Sequence, residues 1–96
     1  MLFLARMDVT FPDHLSPEEV ADFQAREKEY SGSLQTAGKM KGIWRVVGEY
    51  SNYSIYDAPD NDALHDIFAG FPMYKYMKIH VTPLAKHPNS TDAVAY

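Results

Sequence analysis

The stretch from Ser16 to Gly38 predicts a long amphipathic helix that turns one face toward a core. Its apolar residues recur at alternating spacings of three and four positions, which is typical of an α-helix. These residues are Val20, Phe23, Tyr30, Leu34 and Ala37. The position that continues this stripe between Phe23 and Tyr30 is occupied by Glu27. A carboxylate on an apolar face is costly unless it is paired or used, because burial disfavours its charged form.

Both ends of this helix carry recognisable signals. Ser16 is the expected N-cap, and Glu19 three positions later completes a capping box. Pro17 occupies the first helical position, where its missing N–H costs nothing. Gly38 is the expected residue just past the C-terminus.

The remaining segments predict four strands and a second helix. Asp60 is the expected N-cap of the second helix, and Gly70 with Pro72 ends it. The predicted strands are residues 2–9, 41–47, 50–57 and 76–82. The order β-α-β-β-α-β predicts a ferredoxin-like α+β fold, with two helices on one face of a four-stranded antiparallel sheet. We expect one domain over residues 1–96, with residues 83–96 as an irregular C-terminal tail.

A tight turn between the second and third strands predicts their register. Gly48-Glu49 suits a two-residue hairpin loop of type II′, with glycine first. Arg45 then lies opposite Asn52, and Trp44 lies opposite Tyr53. Because cross-strand partners share a face, Arg45 and Asn52 are predicted to stand side by side.

Composition excludes several classes of protein. The chain of 96 residues has no Cys, so thiolate chemistry and disulfides are excluded. A net charge of -4 without a basic run argues against a nucleic-acid surface. The four His are scattered without metal-ligand spacing, and no apolar run approaches the ~20 residues of a membrane span. We expect a cytoplasmic protein without metal or cofactor.

The chain is rich in large apolar side chains for its size. It has seven Tyr, five Phe, five Met and one Trp. Neither face of the predicted sheet is plainly polar, so the face without helices needs a cover. A second copy of the chain is the economical cover, and we therefore predict a homo-oligomer.

Three polar residues are candidates for chemistry, each with a structural alternative. Glu27 is either a general acid or base with a raised pKa, or a structural residue that lies at the edge of the stripe, reaches water, or pairs with Arg26, Lys28 or Arg45. Arg45 either binds a substrate carboxylate or forms an internal salt bridge. Asn52 either polarises a carbonyl oxygen or bridges strands. Acid/base chemistry on a small anion, or simple binding of one, remains open.

Several motifs in this order make the chain similar to the muconolactone Δ-isomerase family. They are MLFLARMDV, Glu27-Lys28, IWRVVGEYSNYSIYD, ALHDIFAGFPMY and PLAKHPNS, over about residues 1 to 90. Lys75 and Ile43 depart from residues that are common in that family. The chain resembles a close relative, 5-chloromuconolactone dehalogenase, equally well by eye.

The resemblance implies a subunit of dimeric α+β barrel type, assembled into a homodecamer without a cofactor. It implies conversion of muconolactone into 3-oxoadipate enol-lactone in the β-ketoadipate pathway. A dehalogenase would use the same proton abstraction with chloride loss, giving a dienelactone, and a non-catalytic binding or assembly protein is a third hypothesis.

The resemblance also suggests a role for each candidate residue. Glu27 becomes the proton shuttle and Asn52 the partner of the developing enolate oxygen. Arg45, or less readily Lys28, binds the carboxylate arm of the substrate. The expected pocket wall comprises Tyr30, Trp44 and Phe71.

Overall fold

The computed structural model describes residues 1–91 and contains the predicted order of elements. The elements are β1 (Leu2–Val9), α1 (Pro17–Thr36), β2 (Met40–Arg45), β3 (Ser51–Asp57), α2 (Asn61–Ala69), a 3₁₀ turn (Tyr74–Tyr76) and β4 (Met77–Leu84). The strands form one antiparallel sheet in the order β2-β3-β1-β4. This arrangement confirms the ferredoxin-like α+β prediction.

Helix α1 begins and ends where the sequence predicts. The Glu19 N–H donates to Ser16 Oγ at 3.1 Å, and the Ser16 N–H donates to Glu19 Oε1 at 3.1 Å. These two bonds form the predicted capping box. At the other end Gly38 has a φ of +74°, a conformation that favours glycine, and the chain turns there toward β2.

Both helices pack on one face of the sheet. Alternate residues of β1, namely Phe3, Ala5 and Met7, are buried beneath them. The helices contribute Leu34, Leu64, Ile67 and Phe68 to this core, and Phe71 joins it from the chain just after α2. The opposite face keeps large side chains exposed, among them Leu2, Trp44, Tyr53 and Leu84.

The hairpin has the predicted register, but its turn lies one residue earlier than predicted. Arg45 pairs with Asn52 and Trp44 pairs with Tyr53, as expected. The Glu49 N–H donates to the Val46 carbonyl, so Val47 and Gly48 are the central residues. Gly48 has a φ of +82° at the third position of this turn. The type II′ prediction is therefore wrong, and β2 ends at Arg45 rather than Val47.

Strand β4 is longer than predicted at its C-terminal end. It extends through Pro83, which pairs with Phe3, to Leu84. Because β4 is an edge strand, the missing N–H of Pro83 leaves no partner unsatisfied in the sheet interior. The predicted tail therefore begins after Leu84, and it is irregular through residue 91. Residues 92–96 of that tail lie outside the described residues. Over residues 1–91 no helix is long and apolar enough to cross a membrane.

Candidate active site

A cavity of about 420 Å³ lies between α1 and the face of the sheet on which α1 packs. Four of the residues singled out in the sequence line it: Glu27, Lys28, Arg45 and Asn52. They converge because α1 packs against the face that Arg45 and Asn52 share, rather than against the Trp44 face. The hairpin register and the helical stripe therefore bring the Glu27 carboxylate, the Lys28 and Arg45 cations and the Asn52 amide to one cavity.

Glu27 is buried, with only 9% of its surface exposed. Its Oε2 accepts a hydrogen bond from the Met73 backbone N–H at 3.0 Å. Its Oε1 is also buried and has no hydrogen-bond partner within residues 1–91. Burial raises the pKa of this carboxyl, and the Met73 N–H and the charge of Arg26 oppose the rise. One oxygen is thus held by a backbone donor, while the other has no hydrogen-bond partner among the described residues.

None of the three basic residues considered as ion-pair partners neutralises Glu27. Arg26 instead donates to Asp22 at 3.0 Å, one turn earlier on the solvent side of α1. No Lys or Arg nitrogen in the described part of the chain lies within 4.0 Å of the Glu27 carboxylate. The structural alternative for Glu27, an ion pair with Arg26, Lys28 or Arg45, is therefore wrong for these residues.

Asn52 lies on a central strand, and its backbone is paired on both sides, with Met7 and with Arg45. Its side-chain Oδ1 is buried and has no hydrogen-bond partner among the described residues. Buried amide groups in proteins are usually hydrogen-bonded, so an unpartnered amide beside a cavity is available to a ligand.

Arg45 is the last residue of β2, and its side chain is exposed at the side of the cavity. Its guanidinium Cζ lies 5.0 Å from the centre of the Tyr50 ring. No carboxylate within residues 1–91 lies within 4.0 Å of it, so the internal salt bridge considered for Arg45 does not form there. Its five N–H donors remain available to a ligand with a carboxylate.

The three residues predicted to form the pocket wall lie elsewhere. The Tyr30 hydroxyl donates to the Ile67 carbonyl at 2.7 Å and so links α1 to α2. Phe71 is buried in the core, with its ring edge-on to Tyr30 at 4.9 Å between centroids. Trp44 lies on the opposite face of the sheet, paired with Tyr53. None of the three lines the cavity in this chain.

Seven further residues line the cavity and were not named as candidates. They are Val9, Gln24, Ser31, Gln35, Ile43, Tyr50 and Met73. Helical spacing from Glu27 and Lys28 identifies the three polar residues of α1 among them, and strand alternation identifies Ile43 and Tyr50. Nothing in the sequence pattern indicates Met73, because its contribution is a backbone N–H placed by the chain after α2.

The site is suited to moving a proton within a small anion. A buried carboxylate with a raised pKa can take and return a proton, and the N–H groups of an asparagine amide can donate to a carbonyl oxygen. Two cations balance the charge of an anionic ligand. In the part of the chain that the structure describes, no group of three His, Cys, Asp or Glu side chains could hold a metal ion.

Fold and site together define a ferredoxin-like α+β protein with an acid/base site for a small anion. The family model described as "Muconolactone delta-isomerase" matches residues 1–90. The chain belongs to the muconolactone Δ-isomerase family.

Individual relatives agree with this assignment. A muconolactone Δ-isomerase of Cupriavidus pinatubonensis is 53% identical over 90 residues, covering 94% of this chain and 98% of the relative. Muconolactone Δ-isomerase 1 of Acinetobacter lwoffii is 58% identical over 91 residues, covering 94% of each. A crystal structure of muconolactone isomerase superposes with a TM-score of 0.89 at 40% identity, covering 94% of each chain.

A more distant structure shares the fold alone. It is a 5-chloro-2-hydroxyhydroquinone dehydrochlorinase of Burkholderia phenoliruptrix, with a TM-score of 0.71 at 17% identity, covering 95% of this chain and 100% of that one. The relatives at 53% and 58% identity carry the isomerase name, which favours the isomerase over the dehalogenase and over a non-catalytic protein.

Proposed function

We propose that this chain isomerises muconolactone to 3-oxoadipate enol-lactone, with Glu27 as the proton shuttle. The supporting observation is that Glu27 Oε1 and Asn52 Oδ1, both buried and both without a hydrogen-bond partner among residues 1–91, belong to side chains that line one cavity. Both groups would be expensive to bury as purely structural features, because each loses its hydrogen bonds to water without replacement. Binding of a ligand that uses both groups compensates for that loss.

The chemistry of the substrate requires three groups. The proton leaves the ring carbon that carries the carboxymethyl arm, and negative charge spreads onto the lactone carbonyl oxygen. The same proton, or one exchanged for it, then returns to the ring carbon next to that carbonyl. The reaction therefore needs one base, one donor for the developing enolate oxygen and one cation for the arm. It involves no net change of oxidation state, so these side chains suffice without a cofactor.

The residues of the cavity supply these groups. Glu27 Oε1 takes the proton, while the Met73 N–H holds Oε2 and keeps the carboxyl oriented. The Asn52 amide donates to the enolate oxygen as charge develops there. Arg45 binds the carboxylate arm, because its planar fork can engage both carboxylate oxygens; Lys28 is the second candidate.

Side-by-side turnover of two lactones tests this function. The purified protein is given muconolactone and 5-chloromuconolactone, products are identified by NMR, and free chloride is measured. We expect 3-oxoadipate enol-lactone from the first substrate at a kcat/KM at least tenfold above that for the second. Preferred turnover of the chlorinated lactone with stoichiometric chloride would instead identify a dehalogenase, and no turnover of either would identify a binding protein.

We also propose that the chain assembles with copies of itself, up to the homodecamer that the family resemblance implies. Support comes from the face of the sheet without helices, where Trp44 is 49% and Tyr53 39% exposed on neighbouring strands. Apolar patches of this kind are usually covered in soluble proteins. Light scattering of the purified protein measures the mass directly, and a monomer mass of 10.9 kDa at micromolar concentration would refute assembly.

We propose that the protein acts in the cytoplasm, in the β-ketoadipate pathway of aromatic degradation to which the proposed reaction belongs. Deletion of its gene is expected to stop growth on an aromatic acid that is degraded by way of muconolactone, with muconolactone accumulating. Unimpaired growth without accumulation would argue against this placement.

A further inference from the structure

Arg45 carries the proposed contact to the substrate carboxylate, yet no ion pair with another residue of the described range 1–91 fixes its position. It lies at the end of an edge strand with an exposed side chain, and no carboxylate among residues 1–91 holds its guanidinium. A free arginine side chain loses rotamer entropy when it binds a ligand. A ligand is therefore bound more tightly if another group places the guanidinium beforehand.

The group in contact with Arg45 is Tyr50, at the opposite side of the hairpin. The Arg45 Cζ lies 5.0 Å from the centre of the Tyr50 ring, within the range of a cation–π interaction. Tyr50 and Asn52 are two residues apart and line the same cavity, so the ring lies beside the proposed position of the substrate.

Tyr50 is itself held by elements outside the hairpin. Its hydroxyl accepts a hydrogen bond from Gln24 Nε2 on α1 at 3.0 Å. Its ring packs against Phe11, in the loop between β1 and α1, at 6.2 Å between centroids. Its carbonyl accepts the Val9 N–H at 3.3 Å. Contacts from three separate segments thus fix the aromatic surface on which the guanidinium rests.

We propose that Tyr50, anchored by Gln24, is a positioning residue that holds the Arg45 guanidinium ready for the substrate carboxylate. Tyr50 acts through Arg45 and takes no part in proton transfer. The inference rests on the proposed function, since it assumes that Arg45 binds the carboxylate arm of the lactone. It adds a specific requirement: an aromatic ring at position 50 matters for substrate binding only while Arg45 is present.

The chain offers a matched control on the other face of the same strand. Tyr53 is 39% exposed, close to the 41% of Tyr50, and its ring also lies near an arginine, with the Arg6 Cζ at 5.4 Å. Tyr53 does not line the cavity. Replacing Tyr53 by Leu therefore removes the same kind of contact from a comparable site that is remote from the proposed substrate.

The test is a double-mutant cycle in steady-state turnover of muconolactone. Tyr50→Leu is expected to raise KM about two- to fivefold, as expected for loss of an exposed cation–π contact, with kcat within twofold of wild type. Tyr50→Phe keeps the ring but loses the hydrogen bond from Gln24, so its KM is expected to lie between those of wild type and Tyr50→Leu. Because Tyr53 lies on the face proposed for assembly, Tyr53→Leu is compared at the wild-type mass by light scattering, where it is expected to leave both constants unchanged. In an Arg45→Met background, Tyr50→Leu is expected to have no further effect on KM.

The outcomes separate the inference from the function on which it depends. If the wild type turns over muconolactone but Tyr50→Leu leaves KM unchanged, the role of Tyr50 is overturned and the isomerase assignment stands. The same conclusion follows if Tyr50→Leu raises KM equally with and without Arg45. Absence of wild-type turnover overturns both. Circular dichroism melts and light scattering of every variant show whether a change in KM reflects a loss of folding or assembly, which would also count against a positioning role.

Discussion

Replacing Arg45 by Met tests which cation binds the carboxylate arm. Methionine keeps the length and apolar stem of the side chain but removes all five donors. Arg45 has no carboxylate partner in the described chain, so the substitution leaves no buried charge unpaired. The folded protein is therefore expected to keep its stability, and the loss should appear in substrate binding.

The magnitude follows from the contact that is removed. Hydrogen bonds to charged groups contribute about 1.5–3 kcal/mol. Arg45 is exposed in this chain, so we take this range for the whole bidentate contact rather than for each bond. At about 1.4 kcal/mol for each tenfold change, kcat/KM should fall about 10- to 150-fold. The loss should appear mainly in KM, because the carboxylate arm is equally charged in substrate and transition state.

Steady-state kinetics with muconolactone measures these effects, and two further variants sharpen the result. Arg45→Lys keeps the charge but not the planar fork, so it should recover part of the loss. Lys28→Met removes the other cation of the cavity and should change kcat/KM less than threefold. A larger effect of Lys28→Met than of Arg45→Met would transfer the carboxylate contact to Lys28, and effects below threefold in both would refute the proposed orientation of the substrate.

Three further predictions concern Asn52 and the ionisation of Glu27. Asn52→Leu should lower kcat by about 10²–10³ while KM changes little, because the donor to the enolate oxygen acts chiefly in the transition state; steady-state kinetics checks this, and a pure KM effect would contradict it. The pH profile of kcat/KM should fall on the acid side with an apparent pKa above the usual 4.5 of Glu, because burial raises the pKa of Glu27; an inflection at or below 4.5 would argue against the assignment. Glu27→Gln should be at least as stable as wild type above pH 7, as measured by urea unfolding at several pH values. Because the folded state binds the Glu27 proton more tightly than the unfolded state, wild type loses this contribution as pH rises through the raised pKa. The advantage of the Gln variant should therefore shrink as pH falls toward 4.5, and an advantage that grows on acidification would refute the burial argument.

Local patterns in the sequence were sufficient to predict most of the fold. The capping box at Ser16 and Glu19 and the glycine at position 38 determine the ends of α1, and the structure confirms them. The hairpin register is as predicted although the turn is not, because the loop is longer than predicted: the Val46 N–H donates to the Ser51 carbonyl, which keeps Arg45 opposite Asn52. The type of turn is less predictable, since one glycine can serve at more than one position.

The site was only partly predictable. Glu27 stood out because it breaks an apolar stripe, and Arg45 and Asn52 followed from strand alternation. Trp44, Tyr30 and Phe71 do not line the cavity in this chain, and strand alternation alone places Trp44 on the other face of the sheet. Tyr30 and Phe71 instead join the two helices in the core.

The partner of Glu27 is a different case. The Met73 N–H reaches the carboxylate across 46 positions of sequence, so only the folded chain reveals it. Secondary-structure patterns carry no information about which backbone donor a turn presents to a distant side chain. Because of this contact, Glu27 has one oxygen fixed by a backbone N–H and one oxygen without a partner in the described chain, which burial alone would not produce.

The turnover number of Glu27→Gln on muconolactone tests the central claim most directly. Glutamine has nearly the same shape and can still accept the Met73 N–H, but it cannot take a proton from carbon. We predict that kcat falls by at least about 10²–10⁴, while Glu29→Gln, an exposed position on the same helix, stays within twofold of wild type. A folded Glu27→Gln protein with a kcat within tenfold of wild type would contradict the account.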